Sequence, residues 1–270
     1  MEFRLTLCCF FPENPYPTGE VRMTKSVHMD AGDLLQMVQL EPGSIGKYAI
    51  VPGPIERVQP ILKRLTDPIK DFSFAGIDMY TGEIDETLVT VANSGMYAPS
   101  GAIISEILAE AGTEHLTRVG SCGAMREDIN IGDLIIVSSC IRGEGTSPYY
   151  VPNSFSTAAD VEVTSALMEA CERLGCTYHV GTIWTTDALL RETKAMIEEM
   201  CELRAIGVDM ISSSLLTVAQ LKGVKAGGIL AVSDNLITGE LGFQSPKYFR
   251  AETYAIRAAI EAISILKSKK

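Results

Sequence analysis

The sequence is short of the residues that build metal sites and disulfide frameworks. Its 270 residues include only three histidines and one tryptophan, and its seven cysteines show neither an even framework nor paired metal-ligand spacing. Positive charge is also scarce, because 23 lysines and arginines face 34 aspartates and glutamates, a formal net charge of −11. This deficit argues against nucleic acid or an anionic membrane as a partner. Reduced thiols fit the cysteines best, which predicts a cytoplasmic protein without a metal site.

Long hydrophobic runs are absent as well. The apolar run over residues 5–11 is too short to cross a bilayer, and the acid beside the base in residues 1–4, with the end of the run at Pro12, argues against a signal peptide. With 46% hydrophobic residues, a chain of this length buries a sizeable core, most economically as one α/β domain. Prolines at 12, 15 and 17 predict an irregular leader over residues 1–36, before a domain over 37–270.

Short β-rich runs alternate with helical stretches along this domain. Alternation of this kind predicts strands joined by crossover helices. Apolar residues at helical spacing predict helices over 160–174 and towards the C-terminus at 256–266. The predicted strands cover 47–51, 87–92, 116–119, 134–139, 178–184, 205–208 and 228–232.

The segment 118–124 is a candidate anion site. A β-branched strand reaches Arg118 and then breaks into Gly120, Ser121 and Gly123, where glycines allow tight turns that expose backbone N–H groups beside a hydroxyl and a guanidinium. Such a loop binds phosphate well. The alternative is a plain strand-to-loop turn with Arg118 on the surface, and this segment alone does not decide between them.

A second candidate phosphate element lies at the end of the first predicted strand. Gly53 follows the strand, and Pro54 to Arg57 predicts the start of a helix, since proline suits a first helical turn. A helix N-terminus favours an anion, and the planar guanidinium of Arg57 matches phosphate oxygens. Taken alone, Arg57 fits an exposed helix face better, paired with Glu56 or Asp67.

An acidic residue follows another apolar strand. Asp234 comes directly after the strand over 228–232 and Ser233, at the place where α/β sheets carry their chemistry.

Taken in order, these motifs resemble the nucleoside phosphorylase superfamily, which contains uridine phosphorylases and hexameric purine nucleoside phosphorylases. The uridine branch is nearer through residues 42–43 and 145–147, whereas 233–235 are more like purine members. Further segments that carry the resemblance are 131–136, 142–147, 185–187, 207–210 and 232–235.

The resemblance implies one domain with a central mixed, twisted sheet flanked by helices. It implies a pentosyltransferase in which inorganic phosphate attacks the anomeric carbon of a nucleoside and releases the base and a pentose 1-phosphate. Phosphate is then the co-substrate and no cofactor is needed. The family also implies a homo-oligomer, a dimer or a hexamer.

Phosphate and sugar positions follow from the motif match. Gly53, Arg57, Arg118 and Ser121 match phosphate-binding positions, and Arg118 is also expected to act in catalysis. Met210, together with Ser121, is expected against the sugar.

Base recognition is less distinct in the sequence. Asp234 is expected to face the base and act in catalysis, where it can protonate a purine. Leu189 and Arg191 are expected to line the base. The choice between a pyrimidine and a purine stays open.

Four positions depart from the family pattern. Pro54 stands where the family carries an aspartate, and Met37 stands where a histidine is lent to the neighbouring subunit. Ala75 replaces an arginine lent to the neighbour's phosphate, and Ile211 replaces the glutamate that grips the sugar hydroxyls. These departures leave three alternatives to a uridine phosphorylase-like enzyme: a purine nucleoside phosphorylase, a nucleosidase, and a non-catalytic binder of nucleoside and phosphate.

Overall fold

The computed structural model describes residues 28–269, and ten strands in that range form one mixed sheet. Its order is β10-β9-β6-β7-β8-β5-β1-β4-β3-β2, and an additional pairing of β9 with β5 closes five of the strands into a ring. The strands are β1 (Tyr48–Pro52), β2 (Thr66–Phe74), β3 (Ile77–Ile84), β4 (Thr87–Ala92), β5 (His115–Ala124), β6 (Leu134–Gly143), β7 (Tyr178–Thr186), β8 (Ala205–Asp209), β9 (Lys225–Asn235) and β10 (Glu240–Leu241).

Helices cover both faces of the sheet. One apolar cluster packs α1, α3 and α6 against one face, and a second packs α2, α4 and α7 against the other. The helices are α1 (Ala31–Met37), α2 (Val58–Leu62), α3 (Ala98–Ala111), α4 (Val161–Leu174), α5 (Lys194–Glu202), α6 (Ser212–Leu221) and α7 (Pro246–Ser268). The prediction of a single α/β domain with a mixed sheet between helices is confirmed.

Local sequence explains where the two long covering helices begin. The Asp160 side chain accepts hydrogen bonds from the first-turn N–H groups of Glu162 and Val163 and so caps α4. Ser245 caps α7, whose first residue is Pro246. Both helices bury an alanine-rich face, which lets them approach the sheet and each other closely.

The strand that carries the glycine motif differs from its prediction. The prediction ends the strand at residue 119 and places Gly120 to Gly123 in a loop, but β5 continues to Ala124. β9 pairs in parallel with the whole of this segment, and β8 pairs antiparallel with Gly123 and Ala124, so the glycines remain in the sheet. The register with β9 shifts between Cys122 and Gly123, which is the only irregularity that the glycines introduce in this pairing.

The predicted leader, residues 1–36, lies mostly outside the described residues, but its last part is helical. Helix α1 begins at Ala31, because the side chains of Asp30 and Asp33 form a reciprocal capping box. Leu34 and Leu35 are buried against the core. The segment from Ala31 onwards therefore packs as part of the domain.

Candidate functional site

A cavity of about 280 Å³ lies where the carboxyl ends of three strands meet. Strands β1, β5 and β9 run parallel, so the residues that follow or end them reach the same edge of the sheet. The cavity is lined by residues from these strand ends, from the chain after β7, from the end of β8 and from helix α7 and the chain just before it. The lining residues include Gly53, Arg57, Arg118, Ser121, Leu189, Glu192, Asp209, Met210, Ile211, Asp234, Phe243 and Tyr248.

Arg118 lies at one end of the cavity, almost fully buried. Its Nη2 donates to Asp209 Oδ2 at 2.8 Å, and its Nε donates to the same oxygen at 3.2 Å and to Ser212 Oγ at 3.1 Å. The remaining nitrogen, Nη1, is buried and has no hydrogen-bond partner. Since a buried donor without a partner is costly, this nitrogen is a ready donor for an anionic ligand.

Asp209 holds Arg118 and is itself fully engaged. Oδ1 accepts from Thr185 Oγ1 at 2.9 Å, and both carboxylate oxygens accept from the backbone N–H of Ser212. Ser212 begins α6, so the carboxylate also caps that helix. With its oxygens occupied, Asp209 positions the arginine and is not free to grip a substrate hydroxyl.

Arg57 lies at the same end and is held by helix α7. Its Nε donates to Glu252 Oε1 at 2.6 Å, and its Nη2 donates to Tyr248 Oη at 2.9 Å and to Ser121 Oγ at 3.0 Å. Tyr248 donates in turn to Glu252 Oε1 at 2.8 Å. Arg57 ends a 3₁₀ turn, Ile55–Arg57, that opens at Pro54. Pro54 stands where the family pattern has an aspartate beside Gly53. In this chain helix α7 holds the loop instead, through the contacts of Glu252 and Tyr248 with Arg57.

Another part of the cavity lining is acidic, with Asp234 and Glu192. Asp234 Oδ1 accepts from Ser233 Oγ at 2.7 Å. A Cβ placed on Gly123 would clash with Leu236 Cδ1 and lie 3.0 Å from Asp234 Oδ2, so glycine at 123 leaves room for both side chains. Burial raises the pKa of Asp234, and the Ser233 hydrogen bond partly offsets that rise.

Glu192 lines the same part of the cavity, just after the 3₁₀ turn Leu189–Arg191. Burial and, to a smaller extent, the charge of Asp234 raise the pKa of Glu192 to about 7. A cavity carboxyl with such a pKa exchanges a proton near neutrality, which is common at functional sites.

A further part of the lining is apolar. Met210 and Ile211 follow Asp209 and line the cavity, and Ile211 is 3% exposed. A Cβ placed on Gly101 would lie 2.6 Å from Ile211 Cγ2, so Ile211 also fills the contact between α3 and α6. This isoleucine is both a cavity wall and a core residue.

Seven of the eight residues predicted for the site line this one cavity. They are Gly53, Arg57, Arg118, Ser121, Leu189, Met210 and Asp234. The eighth, Arg191, is exposed and is not part of the lining, whereas its neighbour Glu192 is. The sequence left open that Arg118 or Arg57 is a surface residue. Both alternatives are wrong, because Arg118 is buried and Arg57 donates hydrogen bonds to three side chains.

Sequence reasoning missed Glu192 and the residues that hold the two arginines. Asp209 carries a usable signal, because like Asp234 it ends a buried strand. Glu252 and Tyr248 carry none, since they lie almost 200 positions from Arg57 on a helix that reads as amphipathic.

Two departing positions lie away from the cavity. Met37 ends α1 and is exposed. Ala75 is exposed in the two-residue turn between β2 and β3, with φ of 48°. Both side chains are therefore on the surface, where a second subunit can contact them but where they offer no charge.

Within residues 28–269, no cluster of three or more histidine, cysteine, aspartate or glutamate side chains is arranged to hold a metal ion. Across the same range, none of the helices combines the length and apolar character required to span a membrane.

Comparison with known proteins supplies the family. The sequence model of the phosphorylase superfamily matches residues 47–266. The uridine phosphorylase of Thermococcus kodakarensis is 34% identical over 243 residues, covering 85% of each chain. The guanosine phosphorylase of Halorubrum lacusprofundi is 28% identical and covers 74% of this chain and 83% of its own.

Solved structures agree with these sequence relatives. The uridine phosphorylase of Vibrio fischeri ES114, in complex with 6-hydroxy-1-naphthoic acid, superposes with a TM-score of 0.78 at 25% identity, covering 84% of this chain and 95% of that one. The resemblance stated from the motifs is thus confirmed, and its uridine phosphorylase-like character with it. The chain belongs to the phosphorylase superfamily.

Proposed function

We propose that this protein is a nucleoside phosphorylase, uridine phosphorylase-like in sequence, that cleaves the N-glycosidic bond with inorganic phosphate. The observation that carries the proposal is the cationic end of the cavity. There the buried, unpartnered Nη1 of Arg118 accompanies Arg57 and the Ser121 hydroxyl. Guanidinium groups bind phosphate oxygens through directed, charge-assisted hydrogen bonds.

In this proposal phosphate lies between Arg57, Arg118 and Ser121, with Gly53 beside it. The sugar lies against the Met210 wall, and the base lies between Leu189 and Asp234. Arg191 is left out because it is exposed, and Glu192 takes its place at the base end.

The proposed chemistry asks the protein for position and charge. A phosphate oxygen attacks C1′, the C1′–N bond breaks through an oxocarbenium-like transition state, and the bonding electrons leave with the base. The arginines orient the attacking dianion, and an acid at the base end supplies the proton that the leaving base needs. Phosphate is the co-substrate, and these steps need no cofactor.

A non-catalytic nucleoside- and phosphate-binding role is the second candidate. Ile211 favours it, because an apolar side chain at the sugar wall cannot accept hydrogen bonds from the 2′ and 3′ hydroxyls. The nucleosidase alternative is less favoured, since a hydrolase has no use for two arginines aimed at an anion.

The proposal includes a homo-oligomer, a dimer or a hexamer, acting in the cytoplasm. Met37 and Ala75 are exposed and uncharged. In such an oligomer they can pack against the neighbouring subunit but cannot supply a charged group to its site. The five described cysteines are free thiols, which supports a reducing compartment.

The deciding experiment is a screen of uridine, thymidine, inosine, guanosine and adenosine for thermal stabilisation and for turnover, each with and without phosphate. We expect phosphate-dependent release of base, and a loss of phosphate-induced stabilisation in Arg57→Ala but not in the exposed control Arg191→Ala. Stabilisation without turnover would favour the binder. Turnover that is equal with and without phosphate would show a hydrolase.

A further inference from the structure

Two of the segments that carry the family resemblance, 142–147 and 185–187, lie outside the lining of the described cavity. Their side chains meet instead at the first turn of α6. Thr185 Oγ1 accepts from the backbone N–H of Ser213 at 3.0 Å, and Glu144 Oε1 accepts from Ser213 Oγ at 2.8 Å. All three residues are buried. The two segments therefore join one buried hydrogen-bond network, which continues to Asp209.

The sheet places Thr185 beside Asp209, because the register of β7 and β8 pairs these two residues. Thr185 Oγ1 donates to Asp209 Oδ1 at 2.9 Å. The same hydroxyl oxygen accepts from the N–H of Ser213, so its single proton is available to the carboxylate. A β-branched side chain has few χ1 rotamers, which helps to fix the direction of this hydrogen bond.

The two oxygens of the Asp209 carboxylate have different side-chain partners. Oδ2 accepts both hydrogen bonds from Arg118 and one from Ser212 Oγ. Oδ1 accepts from Thr185, which is the one side chain among the described residues that donates to it. The last torsion of an aspartate is broad and nearly two-fold, so the hydrogen bond at Oδ1 determines which oxygen faces the arginine. A buried ion pair also requires partners for its remaining lone pairs.

We infer that Thr185 is a positioning residue for phosphate binding, which fixes the Asp209 carboxylate and, through it, the guanidinium of Arg118. The inference rests on the proposed function and adds to it a residue that does not touch the ligand. Arg118 is held through Nε and Nη2, whereas Nη1 has no hydrogen-bond partner. A change in the plane of the guanidinium therefore moves the nitrogen that is left for an anion.

Glu144 holds the helix end that contacts Thr185. Its Oε2 accepts from the backbone N–H groups of Thr146 and Ser147 at 2.6 and 2.8 Å, while Oε1 accepts from the Ser213 hydroxyl. The carboxylate thus ties the chain after β6 to the first turn of α6. Because the N–H of Ser213 donates to Thr185, this tie supports the same hydroxyl, and both segments contribute to the position of one arginine.

The test measures phosphate binding in Thr185→Val, which keeps the branched shape and removes the hydroxyl, and in Thr185→Ser, which restores the hydroxyl. The matched control is Thr157→Val. Thr157 and Thr217 of α6 are buried with their hydroxyls 2.7 Å apart, outside the cavity lining. Calorimetric titration with inorganic phosphate gives the affinity, and initial rates give the KM for phosphate and for nucleoside.

We expect Thr185→Val to weaken phosphate binding by about 3- to 10-fold and to change the nucleoside KM by less than about twofold, because the residue acts through Asp209 on one arginine. Thr185→Ser should recover most of the affinity. Both valine variants should lower the melting temperature, but Thr157→Val should bind phosphate as the wild type does. In an Arg118→Lys background, Thr185→Val should have little further effect on phosphate, since the guanidinium that it positions is gone.

A folded Thr185→Val protein with wild-type phosphate affinity would overturn the inference and leave phosphorolysis intact. Equal rises in both KM values, an equal loss in Thr157→Val, or full additivity with Arg118→Lys would show general damage to the fold and would also overturn it. Thr185→Ala, which removes the same hydroxyl without crowding, is measured in parallel, and circular dichroism shows which variants are folded.

Titration with phosphate alone separates this inference from the proposed function. A wild type that binds phosphate without turnover, and whose affinity falls in Thr185→Val, would support the positioning role while the phosphorylase function fails. A wild type that does not bind phosphate would overturn both.

Discussion

Replacing Arg118 with lysine isolates the contribution of its unpartnered nitrogen. The guanidinium uses Nε and Nη2 for Asp209 and Ser212 and leaves Nη1 without a hydrogen-bond partner. Lysine retains the positive charge but has a single nitrogen. Alanine is the poorer choice, because it leaves the buried Asp209 carboxylate unpaired, which typically costs about 3–5 kcal/mol of folding free energy.

The expected loss follows from the geometry. A lysine at position 118 that stays with Asp209 gives up the hydrogen bond to phosphate, and a hydrogen bond to a charged group is worth about 1.5–3 kcal/mol. At about 1.4 kcal/mol per factor of ten, phosphate affinity should fall about 10- to 150-fold. The KM for the nucleoside should change little, because the base end is untouched.

Initial rates at varied phosphate and saturating nucleoside measure this effect, and calorimetric titration with phosphate alone measures it without turnover. Arg191→Lys is the control, since Arg191 is exposed and outside the cavity lining. A folded Arg118→Lys protein whose phosphate KM stays within about twofold of the wild type would refute the role of Nη1. A parallel rise in the nucleoside KM would show that the cavity as a whole had changed shape.

Three further predictions concern the choice of sugar, the packing of Ile211 and the titration of Glu192. Because Ile211 offers no acceptor to sugar hydroxyls, ribonucleosides and 2′-deoxyribonucleosides of one base should be turned over at similar rates, and a strong preference for ribose would contradict this. Ile211→Glu should lower the melting temperature by several degrees, since burying an isoleucine contributes about 1.5–3 kcal/mol, whereas Ile211→Val should cost about 0.5–1.5 kcal/mol. Since the pKa of Glu192 rises from 4.5 to about 7 on folding, its protonation stabilises the folded state, and this stability is lost as pH rises through about 7. Thermal melts should therefore show the wild type losing more stability than Glu192→Gln between about pH 5 and 7.5, and identical slopes would contradict the assignment.

The buried part of the sheet was predictable from the sequence because burial on both faces leaves a continuous apolar signal. The prediction for 87–92 coincides with β4, and β1 differs from its prediction by one residue at each end. All five residues of β1 are buried. For these two strands, composition alone therefore predicts the bounds closely, whereas β5, β6 and β9 run several residues beyond their predictions.

The edge of the sheet was not predictable in the same way. Strand β2 is largely exposed and carries Asp67, Lys70 and Asp71, so it reads as a polar loop. Its antiparallel pairing with β3, which has two register shifts, makes it a strand, and charges on an edge strand discourage pairing with other chains. Tertiary pairing, which the sequence does not display, overrides the low β-propensity.

The residues of the candidate site were also predictable only in part. Residues that bind through short contiguous motifs, such as Arg118 with Ser121, are visible in the sequence. Their partners are not, because Asp209 and Glu252 reach the arginines from 91 and 195 positions away. A motif thus identifies the group that contacts a ligand, whereas the groups that orient it depend on how distant elements pack.

The distribution of charge in the cavity affects how the base leaves in the proposed reaction. Each arginine at the phosphate end is paired with a carboxylate, Arg57 with Glu252 and Arg118 with Asp209, while Glu192 and Asp234 have no basic partner in the described lining. A base that leaves with the bonding electrons would meet two like charges there if both carboxyl groups were ionised. Burial raises the pKa of both groups, so one proton is retained where the negative charge develops, and its transfer removes the repulsion. The acidic part of the cavity therefore opposes release of an anionic base and favours a base that is protonated as it leaves.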